Sequence, residues 1–160
     1  MGQQQLILLV LATVIVGIAI VVGIRAFTEN SAKANADAMT QVAVRIANDA
    51  QAWKKKPAPF GGQASTQAAS VVSDSTDFSG ATWAGLGYAA TGANYASLDG
   101  TFVITSADDG GLVLDAYNPV ERNHVTVTVT GVTDRNITGT IICLGGSDPT
   151  NGSSCDGDVP

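Results

Sequence analysis

The distribution of apolar positions divides the chain into four stretches with different rhythms. Residues 6–24, LILLVLATVIVGIAIVVGI, are nineteen consecutive positions without a charge, and Thr13 carries their one hydroxyl. Wound as a helix at about 1.5 Å per residue, the run is roughly 28 Å long, which matches the hydrocarbon thickness of a bilayer. A cleaved secretory signal has a shorter apolar stretch, about 7 to 15 residues, with basic residues before it and a small-residue cleavage site after it. No basic residue precedes Leu6, and no convincing A-x-A site follows Ile24. The run therefore reads as a membrane-spanning helix rather than a signal or a soluble core helix.

Helical periodicity continues beyond Ile24 in a different form. Phe27, Met39, Val42, Ile46, Ala50 and Trp53 recur at steps of three or four or their multiples, with Glu29, Asn30, Lys33, Asp37, Asn48 and Asp49 between them. Alanine, the best helix former, is abundant from residue 31 to 52, and no proline occurs before Pro57. Lys54, Lys55 and Lys56 stand where positive charge favours a helix C-terminus, as solvated dipole partners, and Pro57 then stops the helix. One continuous helix over residues 3–55 follows, about 80 Å long, apolar all round in its first half and striped in its second. Gly17 and Gly23 weaken it locally by about 1 kcal/mol each and also permit close helix approach.

Residues 57–100 change to Gly, Ala, Ser and Thr with scattered Phe60, Phe78, Trp83, Tyr88 and Tyr95. Turn signals such as Gly61-Gly62 and Ser79-Gly80 mark a long loop, which the aromatics are expected to pin onto a core. A short helix over residues 63–73 is compatible with the local composition. Beyond Gly100, β-branched runs at 101–105, 111–117, 124–130 and 137–143 predict four antiparallel strands. Val125, Val127 and Val129 alternate with Thr126, Thr128 and Thr130, so one sheet face is buried and the other wet. The striped helix over residues 25–53 is the one amphipathic element large enough to cover that face.

Composition narrows the class. Of 160 residues, 45% are hydrophobic and 14% charged, against about 25% charged in ordinary soluble domains, and mean hydropathy is +0.21. These values argue against a wholly soluble protein and against a disordered one. The net charge of −6 conceals a split: residues 1–56 hold six basic and three acidic groups, residues 57–160 two and eleven. An acidic distal part does not suit a nucleic-acid surface, which needs clustered Lys and Arg. Cys143 and Cys155 read as a disulfide tying the acidic tail to the last strand, worth about 3 kcal/mol by loop entropy in an oxidising compartment. A two-Cys metal site is the rival, with no His or further Cys nearby to complete it.

Candidates for bond chemistry are sparse. His124, the one histidine, begins a strand with no nucleophile motif around it and reads as an ordinary strand-end or exposed residue. Asp108-Asp109 reads as a turn rather than a glycosidase pair. Asp148, Asn151, Asp156 and Asp158 carry oxygens that suit calcium, at a spacing that fits no EF-hand, so no metal or other cofactor is expected. Asn136-Ile-Thr138 and Asn151-Gly-Ser153 are glycosylation sequons whose use depends on the organism's enzymes. The aromatics read as core and loop anchors, not as an electron path.

Taken in order, five features resemble the type IV pilins and the wider prepilin family: Gly2-Gln3 directly before the apolar run, the half-apolar and half-amphipathic helix, the loop, the four-stranded sheet and the C-terminal cysteine pair. The resemblance spans nearly the whole chain. It implies an α+β pilin-like fold, with residues 1–24 as membrane anchor and filament core and residues 25–160 as the head. Within the head lie the amphipathic helix 25–55, the loop 57–100, the sheet 101–143 and the disulfide-bounded tail 143–160.

By the same resemblance, processing falls between Gly2 and Gln3, with methylation of the new terminus. The filament core is made of Leu6, Ile7, Leu8, Leu9, Val10, Leu11, Val14, Ile15, Val16, Gly17, Ile18, Ile20, Val21, Val22, Gly23 and Ile24. The implied role is a structural, non-enzymatic subunit of a surface filament, held in the inner membrane before assembly and extracellular afterwards. Its partners are the lipid bilayer, the pilus assembly machinery and copies of itself. A secretion-system pseudopilin and a singly anchored binding module that never polymerises are the alternatives.

One family feature is missing. The family places a Glu five residues into the mature chain; after cleavage at Gly2 that position is Ile7, and the first carboxylate in the chain is Glu29. A buried terminal amine without a counter-charge is costly, so Gln3, Gln4 and Gln5 are expected to solvate it as a polar cluster.

Overall fold

A computed structural model describes residues 2–62, 76–147 and Cys155. Helix α1 runs unbroken over Gly2–Lys55, 54 residues and about 80 Å. It ends where Pro57 forbids continuation, and Trp53 Nε1 donates to the Gly61 carbonyl at 2.9 Å, folding the next turn back on the helix end. Gly62 is required there, since a Cβ would lie 2.0 Å from the Lys56 carbonyl oxygen. The short helix expected over residues 63–73 lies outside the described residues.

The head is an antiparallel meander of five strands: β1 (Asn94–Ala96), β2 (Thr101–Asp108), β3 (Gly111–Asn118), β4 (Asn123–Val129) and β5 (Ile137–Cys143), in spatial order β1-β2-β3-β4-β5. The fold is α+β as expected, with one strand more than the four anticipated. That strand lies inside the predicted loop and pairs Asn94, Tyr95 and Ala96 with Val103, Phe102 and Thr101. Three residues are too short to display an alternation; cross-strand packing holds it, with the Tyr95 ring 6.0 Å from Phe102 and 5.6 Å from Trp83. The loop also forms a single helical turn, α2 (Trp83–Leu86), capped by Thr82, whose Oγ1 accepts from the Gly85 N–H.

The second half of α1 lies on one face of the sheet. Met39, Ala43, Ile46, Ala47 and Ala50 meet Phe102, Leu112, Leu114, Ala116, Val125, Val127 and Val129, all fully buried. The stripe differs from the expected one in two ways. Phe27 is exposed because it lies below the head, and Val42 is half-buried at the margin. Ala32, Ala36, Ala43 and Ala47 carry the contact instead, their small side chains letting the helix approach the sheet closely. Gln51, buried at the far end, donates to the carbonyls of Gly131 and Thr133 at 2.9 and 2.7 Å.

Two residues expected at the surface are inside. Lys54 is buried with its Nζ 4.6 Å from the centroid of the Phe78 ring. Desolvation lowers its pKa from the usual lysine value, opposed by the charges of Asp77 and Asp109. Lys55 and Lys56 remain exposed. His124 is also buried: it pairs across the ladder with Tyr117 and Cys143, and its Nε2 lies 3.4 Å from Asp115 Oδ1 without hydrogen-bond geometry. The Asp115 carboxylate is engaged by the hydroxyls of Thr105 and Thr126, each donating at 2.5 Å.

Candidate assembly and membrane surface

The first half of α1 is helical for the reasons the sequence gives, but among the described residues nothing of the head packs on it. Every residue from 2 to 30 is exposed, including fourteen large aliphatic side chains from Leu6 to Ile24. Burying such side chains is worth about 1.5–3 kcal/mol each, so holding fourteen of them in water would cost roughly 20–40 kcal/mol. That exceeds the whole stability of an ordinary domain, about 5–15 kcal/mol. Water is therefore not the medium of this half. The helix is long and apolar enough to cross a membrane. Its one hydroxyl is satisfied internally, Thr13 Oγ1 donating to the Val10 carbonyl at 2.8 Å, as a non-aqueous setting requires.

Within this rod four of the five Ala and Gly residues from Ala12 to Ala26 share one side, Gly17 being the exception. At about 100° per residue, Ala12, Ala19, Gly23 and Ala26 fall within an arc of roughly 60°, a seam of small side chains. A Cβ added at Gly17 or Gly23 meets nothing within 4 Å, so neither glycine serves packing inside the subunit. The seam points away from the head: by the same helical count it lies roughly 140° round α1 from the stripe of Ala36, Met39, Ala43 and Ala50. Sequence reasoning singled out Gly17 and Gly23 but missed this direction, which has meaning only once the head's side of the helix is known.

The other predicted site residues are placed as follows. Gln3, Gln4 and Gln5 are exposed on the first turns of α1, and because successive residues point to different sides they do not share one face. Cys143, at the end of β5, is bonded to Cys155 with the Cα atoms 6.1 Å apart, so the metal alternative for this pair is set aside. Asn136 is half-buried; its side-chain oxygen accepts from the Thr133 hydroxyl and its amide lies against Gly131. Asp148, Asn151, Asp156 and Asp158 lie outside the described residues. Of the loop aromatics, Phe78 and Trp83 are buried anchors and Tyr88 is pinned to α1 through Asp49, whereas Phe60 is exposed.

Comparison with known protein families, with curated proteins and with solved structures finds no match. What stands is the architecture: a long N-terminal helix whose first half is apolar, laid by its second half on an antiparallel sheet that a C-terminal disulfide closes. That architecture is compatible with a pilin-like fold.

Proposed function

We propose that the chain is the structural subunit of a type IV pilus-like surface filament. It rests in the inner membrane through residues 6–24 and polymerises when those helices leave lipid and bundle with their copies. One observation carries the reading: the exposed apolar rod bears its seam of small residues on the side away from its own head. A neighbouring rod seated on that seam packs closely without meeting the head, which leaves the heads as an outer shell. Lipid tails are as apolar as leucine, so leaving the bilayer for a helical bundle exchanges one apolar setting for another, and close packing supplies the preference. Contacts of this head-to-tail kind, if they do not close a ring, propagate as a helical polymer. The role is mechanical and calls on no catalytic residue or cofactor.

Electron microscopy of sheared cell-surface material, with mass spectrometry of the subunit's N-terminus, tests the reading. Long fibres built of this chain, beginning at Gln3, are the expected result. Monomers confined to the membrane fraction would instead indicate a singly anchored binding module, and short assemblies confined to the periplasm a secretion pseudopilin.

A further inference from the structure

We propose that, before assembly, the head stands on the lipid surface through Val120, at the tip of the β3–β4 turn, with Phe27 exposed on the opposite side of α1. The inference rests on the reading of residues 6–24 as a membrane anchor and adds a second point of lipid contact.

The orientation of the head on α1 carries the argument. At one end, Ser31 Oγ donates to Glu121 at 3.1 Å and Asn123 Nδ2 to the Ala32 carbonyl at 2.7 Å. At the other, Gln51 donates to Gly131 and Thr133. The turn over residues 119–122 is therefore the end nearest the apolar rod. Val120 lines an open cleft together with Thr28, Glu29, Ala32 and Lys33, and Thr28 stands only four residues beyond Ile24, about 6 Å along the axis. The headgroup layer is itself about 5–8 Å deep on each side of the hydrocarbon core. The helix residues that share this cleft stand about 6 to 13 Å beyond Ile24, so Val120, 85% exposed, faces the outer part of the headgroup layer, and Phe27, 76% exposed, lies within that layer on the other side of α1.

A lone exposed valine is ordinary; its height above the anchor is what singles it out. Leu98 supplies the contrast. It is fully exposed, but its neighbour Asp99 accepts a hydrogen bond from Asn35, eleven residues past Ile24 and about 16 Å along the axis, beyond the headgroups. The base carries Arg25, Lys33 and Arg122 against Glu29 and Glu121, a net charge of +1, and the Arg122 guanidinium lies over Gly146. The Val120 contact itself is apolar, and so small a net charge leaves its dependence on salt weak. A single valine orients the head rather than anchoring it, holding the sheet at one tilt.

The test uses the full chain, methyl-labelled, in nanodiscs of phosphatidylcholine and phosphatidylglycerol, with a nitroxide on a fraction of the headgroups. Methyl resonances of Ile24 and Val120 should broaden strongly, while those of Leu98 and of Val132, near the far end of the head, keep their intensity, and high salt should leave the pattern in place. Broadening at Ile24 with Val120 as sharp as Val132 overturns the contact and leaves the anchor intact. Equal broadening at Leu98 and Val120 overturns the assigned tilt. No broadening at Ile24 overturns the anchor and the contact together.

Discussion

The side chain of Asn123, fully buried at the start of β4, donates to the backbone carbonyl of Ala32 at 2.7 Å and to Asn35 Oδ1 at 2.9 Å. Its own oxygen accepts from the Gly145 N–H at 2.8 Å. One amide thus ties helix, sheet and the turn after β5 together where the apolar rod leaves the head.

Replacing Asn123 by Leu or Ala removes three hydrogen bonds, of which the one to the Ala32 carbonyl is buried and those to Asn35 and the Gly145 N–H are partly so. A typical bond of this kind is worth about 0.5–1.5 kcal/mol, and a buried group left unpaired costs about 1–3 kcal/mol. The head of the Asn123→Leu variant should unfold at lower denaturant than that of wild type, by a total of roughly 2–4 kcal/mol, with its slope in denaturant unchanged. A midpoint equal to that of wild type would mean the amide is dispensable.

Alkaline stability should depend on Tyr88. Its hydroxyl donates to Asp49 Oδ2 at 2.5 Å, and burial, then that bond and the Asp49 charge, raise its pKa from 10.0 to about 12, against the opposing effect of Arg45. The folded state holds this proton more tightly than the unfolded chain does. The contribution is therefore complete below pH 10 and is lost as pH rises from 10 to about 12. Lys54 acts with the opposite sign: burial makes the folded chain release its proton before the unfolded one does at 10.5, so the folded state gains as pH rises below that value. Denaturation midpoints of wild type and Tyr88→Phe, followed from below pH 10 to 12, should converge as the pH rises, because only wild type carries the Tyr88 term.

The disulfide should stabilise through the chain it closes. Cys143 and Cys155 are 12 residues apart, and a loop of that size is worth about 3 kcal/mol in the chain-entropy account. Reduction, or the pair of changes Cys143→Ala and Cys155→Ala, should lower the unfolding midpoint of the head by about that amount while α1 keeps its helicity by circular dichroism. A reduced protein with unaltered midpoint would remove the bond from the account of stability.

How much of this was legible follows from what each residue needs in order to declare itself. The helix came from a sustained periodicity and four of the strands from β-branched runs of five to seven residues, and the proline that stops α1 acts locally. Strand β1 has three residues, and its place is decided by Phe102 and Trp83, which are distant in sequence. Phe27 fits the stripe by spacing, yet the head begins only at Ser31, so alanines carry the contact and the phenylalanine is left outside. Lys54 obeys the rule that places cations at helix ends, but the Phe78 ring, brought over it by the loop, buries it. His124 looked exposed because strand-end position says nothing of what packs beside it. The seam of Ala12, Ala19, Gly23 and Ala26 was visible as spacing; its sense was not, because direction round a helix is defined only relative to the head.

That direction leads to the sharpest test of assembly. If rods meet along the seam, a bulky side chain there separates them, whereas the same change elsewhere on the rod only alters its outline against softer neighbours. Gly23→Leu and Ala19→Leu add volume at the seam and, at exposed helical positions outside the head, leave the Ala36–Met39–Ala43 contact untouched. Val21→Leu adds a methylene on the side of the rod opposite the seam. Fibre yield by microscopy should fall at least tenfold for the two seam variants, which is about 1.4 kcal/mol of lost contact free energy, and stay near wild type for Val21→Leu. Thermal unfolding of the head should be the same in all three, because the altered positions touch nothing in it. Equal loss of fibres from all three would show that the rods pack without regard to the seam, and equal retention that they do not pack along it.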